Sequence, residues 1–122
     1  MAVILIVEDE ALLRLLAETM IQDWGHQTLS SGDVDEALLL LRSPQPIAAL
    51  FTDIRLKAGA LDGFDLALEA IKLRPEMRVL YTTGSSVTDK MKAQFVKGAH
   101  LLPKPYLEQQ LRDSLEGLLA AQ

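Results

Sequence analysis

The chain has 122 residues, 49% of them hydrophobic and 24% charged, which fits a single globular domain with a substantial core. With 17 acidic and 12 basic residues the net charge is −5, which argues against direct binding to nucleic acid. The absence of cysteine excludes disulfides, thiolate metal sites and thiol nucleophiles.

The first predicted element is a strand at Val3–Val7, whose apolar, mostly β-branched residues indicate burial on both faces, as in a parallel sheet. We interpret it as the central strand. The apolar run ends at three acidic residues and is too short for a spanning helix or a signal peptide. We therefore expect a cytoplasmic protein without membrane insertion. Apolar residues at helical spacing from Leu12 to Trp24 predict the first helix.

A short, more polar strand at 26–29 is predicted for the edge of the sheet. A second amphipathic helix over 34–41 follows a turn and ends before Pro44. The third strand, 48–52, is apolar and leads directly to Asp53. His26 and His100 lie on different predicted strands and lack the spacing of metal ligands.

The second half of the chain continues the alternation. The predicted elements are a helix over 64–71, a strand at 77–82, a weaker helix over 85–97, a strand at 99–102 and a last helix over 107–119. The helix over 85–97 has only three residues on its apolar face, which indicates a loosely held element. Five strands that alternate with five helices favour a parallel sheet with right-handed crossovers and helices on both faces.

Several chemically active side chains come at the carboxyl ends of the predicted strands. They are Glu8, Asp9, Asp53, Thr83 and Lys104. A turn aspartate would explain Asp53 by itself. In a parallel sheet, however, all of these positions share one edge, and ligands of such folds bind there.

Three carboxylates at close range repel one another, and a hard divalent cation such as Mg²⁺ relieves that repulsion. With one lysine and one Mg²⁺, the charges of the cluster sum to zero, so that a phosphoryl group can approach. The lysine and the Thr83 hydroxyl could then stabilise charge during an in-line transfer to Asp53. Asp53 would be the nucleophile and an aspartyl phosphate the product.

Four short motifs support this interpretation. They are Val7-Glu8-Asp9-Glu10, Thr52-Asp53, Tyr81-Thr82-Thr83-Gly84 and Leu102-Pro103-Lys104-Pro105. In this order and at these separations they resemble the receiver domains of bacterial two-component response regulators, over essentially the whole chain. The resemblance implies a flavodoxin-like (βα)5 fold, doubly wound, with a five-stranded parallel sheet in the order 2-1-3-4-5.

The resemblance also implies roles for individual residues. Asp53 corresponds to the phosphorylated aspartate, and Glu8 and Asp9 to the acidic pair that binds Mg²⁺ with it. The backbone carbonyl of Arg55 corresponds to a further metal ligand. Thr83 and Lys104 correspond to the hydroxyl and the ammonium that contact the phosphoryl group, and a cis peptide bond is expected before Pro105.

The chain departs from the family pattern in three places. Leu101 replaces the aromatic residue that usually changes rotamer on phosphorylation, so the expected switch positions are Thr83 and Leu101. The loop after Asp53 carries Lys57 where proline is common, and 57–60 makes it about two residues longer. The acidic pair is Glu-Asp rather than Asp-Asp, which changes reach without removing charge.

We expect residues 1–122 to form a stand-alone receiver domain, not itself an enzyme. A sensor histidine kinase or a histidine phosphotransfer protein would donate the phosphoryl group. The altered surface of the fourth helix, fifth strand and fifth helix would then bind a downstream effector protein or a second copy of the chain. The start at Met1, directly before the first strand, argues mildly against a missing N-terminal piece.

Other functions stay open on the sequence. A phosphate sink or relay intermediate would use the same residues. A Mg²⁺-dependent phosphohydrolase with an aspartate nucleophile typically carries Asp-x-Asp after its first strand, whereas this chain has Glu8-Asp9-Glu10. A nucleotide or flavin binder would need a glycine-rich phosphate loop, which is missing. A pure interaction module would not need reactive side chains at all of the positions 8, 9, 53, 83 and 104, and this chain has them.

Overall fold

The computed structural model describes residues 2–56 and 61–120, so the predicted insertion at 57–60 lies outside the described residues. The strands are β1 (Val3–Val7), β2 (Gln27–Ser31), β3 (Ala49–Asp53), β4 (Arg78–Thr83) and β5 (His100–Pro103). The helices are α1 (Ala11–Asp23), α2 (Val34–Arg42), α3 (Gly63–Leu73), α4 (Asp89–Lys92) and α5 (Glu108–Ala120). Across both described ranges, no helix has the length and apolar character needed to span a membrane.

The five strands form one parallel sheet in the order β2-β1-β3-β4-β5, which confirms the predicted fold class and the edge position of β2. The prediction that β1 is the central strand is wrong. β1 is an interior strand with neighbours on both sides, but β3 occupies the middle. All five residues of β3 are buried, whereas Val3 at the start of β1 keeps partial exposure.

Most strand boundaries differ from the predicted ones by one residue, and β2 extends two residues further, to Ser31. The edge strand continues because Ser30 and Ser31 pair with Ile6 and Val7 of β1. Backbone pairing with a buried neighbour therefore extends a strand beyond its own apolar residues. The more important shift is that of β3, because it makes Asp53 the last residue of a buried strand.

Each face of the sheet has its own core. On one face α2 and α3 cover Leu5, Leu50, Val79 and Tyr81. On the other face α1 and α5 cover Ile4, Ile6, Phe51 and Leu80. Each of these helices runs back from the carboxyl ends of the strands toward their amino ends. The helix N-termini therefore lie beside the carboxyl ends of the strands.

The fourth helix is much shorter than predicted, because α4 has only four residues, Asp89–Lys92, instead of a helix over 85–97. Two local contacts delay its start. The Ser85 amide donates to Thr83 Oγ1 at 3.2 Å, and the Thr88 hydroxyl caps the helix by accepting from the Met91 amide at 3.1 Å. Serine and threonine favour such caps and turns over helix interiors. No residue of α4 is buried, so little tertiary packing favours a longer helix over these local contacts.

Gly63, the first residue of α3, fixes the backbone behind Asp53. Its amide donates to the Ile54 carbonyl at 2.7 Å. A Cβ atom at this position would lie 2.1 Å from the Asp53 carbonyl oxygen and 2.8 Å from the Ile54 Cα. The sequence indicates only a turn and a helix start at Asp62-Gly63, whereas the structure shows that glycine is required there by close backbone contact.

We expect Gly63→Ala to lower the free energy of unfolding by about 3 kcal/mol, the upper end of the range for overpacking, because backbone atoms must move. Urea denaturation followed by circular dichroism measures the change. Gly117→Ala is the matched control, since a Cβ there meets nothing within 4 Å. In the interior of α5 that change should stabilise the protein by about 0.5–1 kcal/mol. Equal effects of the two substitutions would contradict the proposed backbone clash.

Candidate functional site

Three carboxylates meet where β1 and β3 end. One oxygen from each of Glu8, Asp9 and Asp53 lies within 4.8 Å of one from each of the others. Glu8 and Asp53 are buried, and Asp9 is half-buried. Adjacent parallel strands produce this arrangement, because Val7 pairs with Thr52 and so the residues that follow them are neighbours.

Lys104 joins this cluster from the loop after β5. Its Nζ atom lies 2.6 Å from Glu8 Oε1 and 2.8 Å from Asp53 Oδ2, so one ammonium bridges two carboxylates. The Lys104 amide donates to the Thr83 carbonyl at 2.9 Å, which continues the pairing of β5 with β4. The Lys104–Pro105 peptide bond is cis, as the family resemblance implied.

Burial and charge act in opposite directions on the groups of this cluster. Burial raises the pKa of Glu8 above its ordinary 4.5, outweighing the hydrogen bonds from Lys104 and the Glu10 amide and the positive charge of Lys104. Burial lowers the pKa of Lys104, but the hydrogen bonds and charges of Asp53 and Glu8 outweigh it, so that this pKa lies above 10.5. Lys104 is therefore a permanent cation at neutral pH.

Asp53 is held from several directions. Its Oδ1 accepts from the Arg55 amide at 3.2 Å, and its backbone carbonyl accepts from the Thr52 hydroxyl at 2.9 Å. Its side chain keeps about 10% of its exposure. The Arg55 side chain is exposed, and a role for the Arg55 carbonyl as a metal ligand stays a prediction.

The two predicted switch positions lie on neighbouring strands. Thr83 is buried at the end of β4, and Leu101 on β5 is half-buried and pairs with Tyr81. Sequence reasoning gave Tyr81 no role of its own, yet it is a buried aromatic residue next to Leu101. Its hydroxyl accepts from the Val96 amide at 3.2 Å, and its ring centroid lies 4.7 Å from that of Phe95. The sequence feature that could have indicated a role for Tyr81 is its place in the motif Tyr81-Thr82-Thr83-Gly84.

We expect Tyr81→Phe to destabilise the protein by about 1–3 kcal/mol, because the buried Val96 amide loses its acceptor. Urea denaturation measures this. Tyr106→Phe removes the same group at a half-buried position and should cost less. If both variants unfolded at the same urea concentration, the Tyr81 hydroxyl would have no special role in holding the segment after α4.

The donor set fits a hard divalent cation. Carboxylate oxygens are the ligands that Mg²⁺ prefers, and Mg²⁺ sites usually keep several waters, which suits a cluster at the rim of a sheet. The three carboxylates and Lys104 leave a formal charge of −2, which one divalent ion would neutralise. This cluster is the one group of potential metal ligands of its kind among residues 2–56 and 61–120.

The fold and the site together define a doubly wound α/β domain with an acidic pocket and a lysine at the carboxyl edge of its sheet. Residues 4–116 match the family model described as the response regulator receiver domain. The chain therefore belongs to the response regulator receiver domain family, a family of signalling domains.

Individual relatives agree with this assignment. The crystal structure of a response regulator receiver protein from Sinorhizobium medicae superposes with a TM-score of 0.90 at 29% identity, covering 98% of this chain and 95% of that one. The nitrogen assimilation regulatory protein NtrX of Azorhizobium caulinodans is 32% identical over 105 residues, which are 84% of this chain and 23% of NtrX. The probable transcriptional regulator ycf27 of Porphyridium aerugineum is 25% identical over 95% of this chain and 47% of its own length. The chain thus spans less than half of these two curated relatives.

Proposed function

We propose that the chain is a phosphoacceptor that receives a phosphoryl group on Asp53 from a histidine kinase or a histidine phosphotransfer protein. The observation that carries this proposal is the Lys104 ammonium, which lies 2.8 Å from Asp53 Oδ2 within the carboxylate cluster. A single ion pair would satisfy Asp53 in a purely structural role, whereas here Lys104 is shared with a second carboxylate and a third lies within 4.8 Å.

In the proposed reaction a carboxylate oxygen of Asp53 forms a bond to phosphorus while the P–N bond to the donor imidazole breaks. The electron pair of that bond goes to the imidazole nitrogen, which takes up a proton. Lys104 balances charge on the oxygens of the transferred group, and the Thr83 hydroxyl donates a hydrogen bond to one of them. Gly63 and the Arg55 amide hold Asp53 in place during the transfer.

We propose Glu8, Asp9, Asp53 and the Arg55 carbonyl as the protein ligands of Mg²⁺. When bound, the ion supplies two positive charges that offset repulsion between the carboxylates and an incoming phosphoryl group. Glu8 and Asp9 must be ionised for this. Because the pKa of Glu8 is raised, we expect its contribution to decline as the pH falls.

The proposed output is a change in the surface formed by α4, β5 and α5. The Thr83 hydroxyl accepts from the Ser85 amide, and rotation of Thr83 to donate to a phosphoryl group on Asp53 would move its oxygen away from that amide. Release of Ser85 would alter the segment that leads to α4, which has no buried residue. We propose that this change, and not catalytic turnover, transmits the signal to an effector protein or a second copy of the chain. The proposed location is the cytoplasm, where a kinase has ATP.

The test is to incubate the protein with acetyl phosphate and Mg²⁺ and to measure the intact mass. We expect the mass of one phosphoryl group to be added, with slow loss afterwards, and no addition when EDTA removes Mg²⁺. A mass that does not change with Mg²⁺ present would contradict the proposal. Continuous release of phosphate over many turnovers from a phosphoester would instead favour a phosphohydrolase.

Exposed leucines lie at the start of α1 and just before α5. Leu12 at the start of α1 is 68% exposed, and Leu107 before α5 is 71% exposed. Leu15 and Leu16 extend the same apolar face of α1. Since α1 and α5 cover one face of the sheet and begin at the edge that holds Asp53, we propose that the phosphoryl donor protein docks on these leucines.

We expect Leu12→Ser with Leu16→Ser to slow phosphotransfer from a cognate histidine kinase about tenfold or more, because burial of a leucine contributes about 1.5–3 kcal/mol. The rate with acetyl phosphate should not change, since that donor needs no docking surface. Leu39→Ser is the control, because Leu39 on α2 is 67% exposed on the other face of the sheet. Equal losses with both donors would argue against a docking role.

A further inference from the structure

Besides its contact with Lys104, Glu8 makes three hydrogen bonds that help to hold the acidic stretch Glu8-Asp9-Glu10 in place. Its amide donates to the Ser31 carbonyl at 3.1 Å. Its carboxylate accepts from the Glu10 amide at 3.1 Å. Its carbonyl accepts from Arg14 Nη1 at 2.7 Å. The last bond is the shortest, and it is the one that a side chain of α1 supplies.

The position of the Arg14 bond gives it a particular consequence. The Glu8 carbonyl belongs to the peptide group that joins Glu8 to Asp9, and a peptide group is planar. A charged donor that holds this carbonyl therefore sets the orientation of the plane from which both side chains project. Arg14 is half-buried and does not itself belong to the carboxylate cluster.

Gly32 leaves the space that the Arg14 guanidinium needs. A Cβ atom on Gly32 would lie 3.0 Å from Arg14 Nη1 and 3.7 Å from Cζ. Gly32 does not have a positive φ angle, unlike Gly25 and Gly98, so alanine fits the backbone at position 32. Gly32→Ala would thus push on the guanidinium while leaving the charge of Arg14 in place.

We infer that Arg14 is a positioning residue that orients Glu8 and Asp9 toward a divalent cation, with Gly32 as the space for its guanidinium. This inference rests on the proposed function, because it assumes that the two acids bind Mg²⁺. Arg14 acts through the Glu8 carbonyl and touches neither the ion nor the phosphoryl group.

Charge and positioning predict opposite effects, which makes the inference testable. A positive charge near the site disfavours a cation, so a purely electrostatic Arg14 would weaken Mg²⁺ binding, and Arg14→Ala would tighten it. A positioning Arg14 predicts the reverse. Partners that orient metal ligands typically contribute 10–100-fold to metal affinity, and we expect about tenfold here.

The experiment measures the Kd of the full chain for MgCl₂ alone by isothermal titration calorimetry, together with the melting temperature in EDTA. We expect Arg14→Ala to bind about tenfold more weakly and Gly32→Ala to bind several-fold more weakly. Arg14→Lys, which keeps the charge and one donor, should recover part of the loss. Arg42→Ala, which removes an exposed charge of α2, should leave the Kd unchanged.

Unchanged or tighter Mg²⁺ binding by both Arg14→Ala and Gly32→Ala would overturn the inference. If the variants lost Mg²⁺ affinity only in proportion to their drop in melting temperature in EDTA, Arg14 would have a structural role and the inference would be overturned. A wild-type chain that binds no Mg²⁺ would also overturn the inference. If the Mg²⁺ affinities change as expected but acetyl phosphate adds no phosphoryl group, the proposed function fails and the positioning role stands.

Discussion

Asp53→Asn should reduce phosphoryl incorporation from acetyl phosphate to background. The amide has nearly the shape of the carboxylate but lacks the negative charge and the nucleophilic oxygen that attacks phosphorus. Its oxygen can still accept from the Arg55 amide, which lies 3.2 Å from Asp53 Oδ1. The fold should therefore persist, so that loss of labelling reports on chemistry. Intact-mass measurement before and after incubation gives the result.

The matched control for this variant is Asp35→Asn, an exposed aspartate in the first turn of α2. It loses the same charge away from the site and should be labelled like the wild type. Calorimetry adds a second measurement, since Asp53→Asn removes one of three carboxylates and should weaken Mg²⁺ binding. Undiminished labelling of Asp53→Asn would move the chemistry to another residue.

Lys104→Ala should lower the rate of phosphorylation by acetyl phosphate by about 100-fold or more. Removing one positioned charge donor from a site of this kind typically costs a factor of about 100–1,000 in rate. In this chain Lys104 bridges Asp53 and Glu8, so its loss also leaves two buried carboxylates without their shared cation. Rates from a mass time course at fixed Mg²⁺ concentration measure the effect.

The same variant should lose stability in EDTA. Removing one partner of a buried ion pair costs about 3–5 kcal/mol, and we expect about 1–3 kcal/mol here, because the Lys104 side chain keeps 19% exposure. Mg²⁺ should restore more stability to Lys104→Ala than to the wild type, since the ion compensates the same carboxylates. Lys97→Ala is the control, because Lys97 is exposed. Equal stabilisation of wild type and Lys104→Ala by Mg²⁺ would contradict this account.

The pH dependence of this difference follows from the raised pKa of Lys104. A cation whose pKa is higher in the folded state stabilises the fold fully below its unfolded value, and loses this effect as the pH rises through the folded value. The difference in free energy of unfolding between wild type and Lys104→Ala should therefore persist above neutral pH. It should shrink only above about pH 10.5. A difference that disappears between pH 7 and 9 would contradict the raised pKa.

The meeting of Glu8, Asp9, Asp53 and Lys104 could be predicted from the sequence, because parallel strands bring their carboxyl ends to one edge. That prediction needs only the strand pattern and the position of each acid. It survives errors of one residue in the strand boundaries, since each acid stays at the end of its strand. The roles of these residues in phosphoryl transfer stay predictions.

What the sequence did not indicate has local and tertiary causes. The length of α4 has a local cause, because the turn at Thr83 and the cap at Thr88 compete with helix formation over 85–97. The role of Tyr81 has a tertiary cause, since its partner Val96 lies 15 residues away. The contact of Arg14 with the Glu8 carbonyl could not be predicted either. An arginine on an amphipathic helix is usually solvated, and the space at Gly32 becomes visible only in three dimensions.

The hydrogen bond between the Gly63 amide and the Ile54 carbonyl closes the base of the segment that follows Asp53. Because this bond joins the residue directly after Asp53 to the first residue of α3, it couples the start of that helix to the end of β3. Hydrogen exchange at the Gly63 amide would therefore report directly on local opening of the backbone beside the aspartate.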